Sequence, residues 1–160
     1  MTPQTAKPRA RVAVAQMTST ADVAHNLATV SELAAQAAED RAAMLVLPEC
    51  FAYLGPEHGK LGVAEPLPDG GPILTHCREL AIRHRIELVL GGFWERGSNP
   101  ELVRNACVHL SAGGDVLAVY RKIHLFDVDL ADGTKLRESE TVEPGTEAVA
   151  TEALFGMLGL

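Results

Sequence analysis

Residues 43–49 read AMLVLPE. Ala43 to Leu47 form an apolar run of strand length, closed by Pro48, whose ring removes a backbone donor and stops a hydrogen-bond ladder. No polar residue alternates through the run, so both of its faces are expected to be covered, as inside a layered sheet. The first residue beyond the stop is a carboxylate, Glu49.

Upstream, Leu27, Val30, Leu33, Ala34 and Ala37 recur at three- and four-residue steps, which predicts a helix from Val23 to about Asp40 with one apolar face. Asp22 is placed to cap it by accepting orphan backbone N–H groups. Before the helix, Arg11-Val-Ala-Val-Ala-Gln-Met17 reads as another buried strand, ended by Thr18, Ser19 and Thr20. A strand–helix–strand unit with the usual right-handed crossover sets the two strands parallel.

Downstream, Cys50 to Gly71 is rich in Gly and Pro and reads as a long loop with a helical turn near residues 57–61. Helical spacing resumes from Pro72 to Arg85, and Ile86 to Trp94 predicts a third strand. Val103–Leu110 and Val116–Tyr120 flank the turn Gly113-Gly114-Asp115, which predicts an antiparallel hairpin. Residues 123–146 read as irregular. The expected architecture is an α/β layered fold with a mixed sheet, one domain over residues 1–160. Function in such sheets gathers at the carboxyl ends of the strands, where Glu49 and Lys122 fall.

Composition excludes several function classes. A 47% hydrophobic content is too apolar for disorder. The formal net charge of −7 argues against a nucleic-acid partner, because phosphate binding needs clustered cations. Residues 1–10 are expected to be a flexible, solvated tail without the apolar core of a secretory signal. No apolar run approaches the ~20 residues that span a bilayer, so no membrane partner and a cytoplasmic location are expected. Cys50, Cys77 and Cys107 have no zinc-like spacing and read as reduced thiols. Gly55-Pro-Glu-His-Gly59-Lys60 is too short for a phosphate loop, and Asp127-Val-Asp129 with Gly133 fails the calcium-loop pattern, so neither a cofactor nor a metal is expected. The apolar run Ala153–Leu160 reads as a strand cut short, which predicts a fragment truncated on its C-terminal side.

Three segments carry potential chemistry: Pro48-Glu49-Cys50, Tyr120-Arg-Lys122-Ile-His124-Leu-Phe-Asp127, and Arg137-Glu138-Ser139 with Pro144-Gly145. Each alone also fits a solvated edge. Cys50 has no histidine placed by sequence to activate it as a nucleophile.

Together they resemble the nitrilase superfamily of carbon–nitrogen hydrolases. Leu45-Val-Leu-Pro-Glu49 resembles the segment with the catalytic glutamate, and Tyr120-Arg-Lys-Ile-His-Leu-Phe126 the one with the catalytic lysine. Arg137-Glu138-Ser139 is similar to the region of a second, supporting glutamate. Phe155–Leu160 resembles the strand leading to the family's cysteine nucleophile, which the resemblance places about three residues further on. The resemblance implies the N-terminal half of an α-β-β-α sandwich with helices on one face of its sheet, and a homodimer or larger in full-length form. It also implies hydrolysis of a small carboxylated amide through Cys–Glu–Lys thioester chemistry, by Glu49, Lys122 and Glu138, with no activity in a chain lacking the cysteine. Leu90–Gly97, Asn105-Ala-Cys107 and Lys122–Leu130 look most like the amidases acting on deaminated glutathione. An ω-amidase, a carbamoylase, an aliphatic amidase or a non-catalytic α/β interaction module remain alternatives. His124 is expected to support the site or core by hydrogen bonding, and Asp127 and Asp129 to shape the loop.

Overall fold

The computed structural model describes residues 10–160. The tail expected at residues 1–10 thus lies outside the described residues but for Ala10. Five strands form the main sheet in the order β1 (Val12–Val14), β2 (Met44–Leu47), β3 (Glu87–Arg96), β4 (Val103–Leu110) and β5 (Val116–Arg121). The first three run parallel, and β4 and β5 are antiparallel to their neighbours, which makes the sheet mixed as the sequence suggests. The strand read over Arg11–Met17 is shorter, because only Val12–Val14 pair with β2.

Helix α1 (Val23–Glu39) joins β1 to β2, and Asp22 caps it by accepting from the N–H of His25 at 3.0 Å. A short 3₁₀ turn (Glu57–Gly59) and α2 (Lys60–Val63) occupy the long loop before α3 (Pro72–His84). The N-terminus of α3 is capped at a distance. The buried Glu65 carboxylate accepts from the N–H groups of Gly71, Ile73 and Leu74 at 2.6–3.0 Å, satisfying three donors that the helix cannot.

Alternation along the strands divides the sheet into two faces. Leu45, Leu47, Leu88, Leu90, Val108 and Leu110 point to the helices and pack on Val30, Ala34, Leu74, Cys77 and Leu80. Each such large side chain contributes about 1.5–3 kcal/mol by leaving water. Met44, Val46, Val89 and Cys107 point the other way and meet Ala153, Phe155 and Leu158. Both described long helices therefore lie on one face. On the opposite face, Val12 and Val14 at the β1 edge stay 40% and 79% exposed. Among the described residues no helix is long and apolar enough to cross a membrane.

Two segments depart from the sequence reading. Within residues 123–146, β6 (Asp127–Asp129) and β7 (Lys135–Arg137) form a small antiparallel ribbon. The run read as a single strand at the end is a hairpin, β8 (Ala150–Ala153) with β9 (Gly156–Gly159), reversing at Leu154-Phe155. Both ribbons turn through Gly133 and Gly156, which adopt positive φ.

Glu143 ties the segment before β8 to the β3–β4 connection. Its carboxylate accepts from the N–H and hydroxyl of Ser98 and pairs with Arg104, which together hold it down at about 2. A depressed carboxyl stabilises the fold above its unfolded value, and that contribution is lost as pH falls toward the folded one. Glu143→Gln is therefore expected to lower the unfolding midpoint at pH 7. The deficit relative to wild type should shrink below about pH 4.5 and vanish near pH 2, as measured by denaturant titration across that range.

Candidate active site

Glu49 leaves the carboxyl end of β2 at the point where β3 carries a bulge between Leu90 and Phe93. The bulge consists of Gly91 and Gly92, and Gly92 has a φ of +63°. A Cβ at Gly92 would lie 2.4 Å from the Cys50 nitrogen and 2.6 Å from Glu49 Cγ. The glycine thus gives the Glu49–Cys50 turn its room. Cys50 itself takes a left-handed φ of +58°, which turns the chain sharply after the glutamate.

Lys122 follows the last residue of β5, and its backbone N–H donates to the carbonyl of Asn105 on the neighbouring β4 at 2.9 Å. Its ammonium reaches back across the strand ends. Lys122 Nζ lies 3.4 Å from Glu49 Oε1 and 2.9 Å from Glu138 Oε2. Glu138 opens a 3₁₀ turn (Glu138–Glu140) directly after β7, and its Oε2 also accepts from the N–H of Phe126 at 2.6 Å. Asp127 holds that turn in place by accepting from the N–H and hydroxyl of Ser139, and Asp129 pairs with Arg137 across the ribbon. The two aspartates shape the loop, as the sequence reading expects.

The three residues singled out by sequence therefore converge in one cavity of about 580 Å³. Their electrostatics are those of an ammonium between two carboxylates. Partial burial works against the charged Lys122, but the hydrogen bond to Glu138 and the field of Glu49 outweigh it and raise its pKa above the ordinary lysine value. Lys122 is thus a fixed cation at any physiological pH. Cys50 also lines the cavity, but burial and then the adjacent Glu49 charge push its thiol up to about 11. It has no thiolate character at neutral pH.

His124 does not fill its expected supporting role. Its side chain is exposed, and no hydrogen bond from it is found among the described residues. Sequence reasoning gave no site role to three wall residues, Asn105, Lys60 and Trp94. Asn105 is 5% exposed and donates from Nδ2 to Glu49 Oε1 at 2.6 Å. Lys60 is 8% exposed, with Nζ 4.5 Å from the centroid of the Trp94 ring and paired to Glu57. Asn105 had a usable signal, an amide in a strand that also carries Val103, Ala106, Val108 and Leu110, where a buried polar group must find a partner. Lys60 and Trp94 meet through tertiary folding and had none.

Comparison with known proteins agrees with the fold. Residues 11–160 match the model of the carbon–nitrogen hydrolase family, and the chain belongs to that family. It is 38% identical over 156 residues to the deaminated glutathione amidase of Homo sapiens, covering 93% of this chain and 46% of that protein. The crystal structure of the Caenorhabditis elegans NitFhit protein superposes with a TM-score of 0.84 at 32% identity, covering 93% of this chain and 36% of that one. A mutant amidase from Nesterenkonia sp., with the acetamide moiety of fluoroacetamide added covalently at its active-site cysteine, gives a TM-score of 0.75 at 25% identity. That match covers 94% of this chain and 54% of the amidase. The chain spans about half the length of the two amidases.

Gly92→Val is expected to drive Glu49 out of its place while leaving the helical face of the sheet intact. A crystal structure of the variant should show Glu49 Oε1 beyond hydrogen-bond reach of both Asn105 and Lys122.

Proposed function

We propose that this chain carries the acid–base and oxyanion-stabilising half of an amidase that cleaves small carboxylated amides through a thioester. The observation that supports it best is the Glu49–Lys122–Glu138 cluster at the open end of the sheet.

An amide is a weak electrophile with a poor leaving group, so the reaction needs a strong nucleophile, a proton carrier and a charge stabiliser. Glu49 takes the proton of a cysteine thiol as its sulfur attacks the carbonyl carbon. The carbonyl oxygen becomes an oxyanion beside Lys122 Nζ, a charge already fixed before the substrate arrives and therefore needing no reorganisation. Collapse breaks the carbon–nitrogen bond, Glu49 returns the proton to nitrogen, and ammonia leaves. Glu49 then takes a proton from water, the hydroxide attacks the thioester, and the carboxylate product departs as the thiol is restored. Glu138 holds Lys122 and keeps it charged.

The sulfur is not that of Cys50, whose thiol is protonated and whose neighbour is the base itself. It belongs to the part of the family's length that this chain does not span, as the covalent adduct on the Nesterenkonia amidase cysteine suggests by analogy. Lys135 on the cavity wall, which pairs with no carboxylate among the described residues, suits a substrate that carries a carboxylate of its own. The name of the human relative points to deaminated glutathione as the first substrate to try.

The test is ammonia release from deaminated glutathione and from shorter ω-amides by the full-length gene product. Release is expected there and not from the 160-residue chain alone. Lys122→Ala should lower kcat by about 10²–10³-fold with a smaller change in KM. Near-normal turnover in that variant would remove the oxyanion role, and turnover by the isolated chain would remove the requirement for a sulfur outside it.

A further inference from the structure

Asn105 touches both halves of the proposed machinery at once. Its backbone carbonyl accepts the Lys122 N–H at 2.9 Å, and its side-chain amide donates to Glu49 Oε1 at 2.6 Å. It sits in the interior of β4, paired with Trp94 on β3, so its own position is fixed by the sheet. Glu49, by contrast, follows the end of β2, and its side chain is 60% exposed. An exposed carboxylate beyond a strand end has no packing to select one rotamer. The Asn105 hydrogen bond supplies that selection.

The two donors that reach Glu49 meet the same oxygen. Asn105 Nδ2 and Lys122 Nζ both approach Oε1, and among the described residues no donor approaches Oε2. We infer that Asn105 is a positioning residue that clamps Glu49 by Oε1 and thereby reserves Oε2 as the atom that takes and returns the proton. This rests on the proposed function and adds to it a division of labour between the two oxygens of one carboxylate. The residue type fits the task. A neutral amide donates without neutralising the carboxylate as a second lysine would.

The charged and titratable groups that share the cavity wall with Glu49 include Lys122 after β5, Glu138 and Arg137 at the end of β7, Lys60 and Glu57 beside α2, and the Cys50 thiol. All of them are retained in the Asn105 variants.

The experiment compares Asn105→Leu, which keeps the branched shape and removes the donor, with Asn105→Asp, which replaces the donor by a like charge. Both are made in the full-length gene product and normalised to folded protein by circular dichroism and unfolding midpoint. Asn105→Leu should lower kcat by about 10–100-fold, the scale of a 1 Å misplacement, with a smaller effect on KM. Asn105→Asp, which sets a second carboxylate against Glu49, should lower kcat at least as far. A purely structural role would lower the folded fraction and leave kcat per folded molecule unchanged; that result overturns the inference. A crystal structure of Asn105→Leu decides the clamp without any turnover. Glu49 Oε1 is expected to leave its place, and a carboxylate that stays within ~0.5 Å would overturn the clamp. If the wild-type protein releases no ammonia, the proposed function fails, and the structure of the variant still judges whether Asn105 holds Glu49.

Discussion

One ammonium organises this molecule. Lys122 Nζ sits between Glu49 and Glu138, which arrive from opposite ends of the sequence separation that the sheet must close. Three like-minded constraints make that meeting possible. Pro48 ends β2 so that Glu49 turns outward, the paired glycines of β3 admit the turn, and the β4–β5 hairpin delivers Lys122 on a rigid strand beside it. The charge is held by main-chain geometry more than by attraction. A salt bridge with a half-exposed partner contributes little to stability, so its value lies in where it puts the groups.

Much of this was legible in the sequence, for a definite reason. The strand–helix–strand unit and the hairpin are local patterns, and their apolar spacing records which side of each element faces the core. Leu45 and Leu47 meet α1 and α3 while Met44 and Val46 face the other way, as a run without polar alternation implies. Asp22 read as a cap because its partner lies three residues on. Glu49 and Lys122 stood out because each follows a strand end.

What stayed hidden depends on contacts between distant segments. The β6–β7 ribbon is only three residues per strand, and its sequence is polar and charged, so no periodicity marks it. It is held by Asp127–Ser139 and Asp129–Arg137, pairs that look like surface charges until the chain folds back. Glu65 caps a helix that begins several residues later, with an irregular loop between. Asn105 gave a faint sign through its chemical mismatch with Val103, Ala106 and Val108. His124 misled, because adjacency to Lys122 in the chain does not carry over to adjacency in space at a strand end, where the backbone turns away.

The three thiols of the chain share a quiet chemistry that has a practical side. Cys50 and Cys107 are pushed up to about 11, mainly by burial, and Cys77 to about 12. At neutral pH roughly one molecule in ten thousand, or fewer, carries a reactive thiolate at any of them. Thiol-alkylating labels therefore react slowly at these three positions. Any brisk modification of the intact polypeptide by iodoacetamide would report a sulfur of another kind, against a background that burial has already silenced.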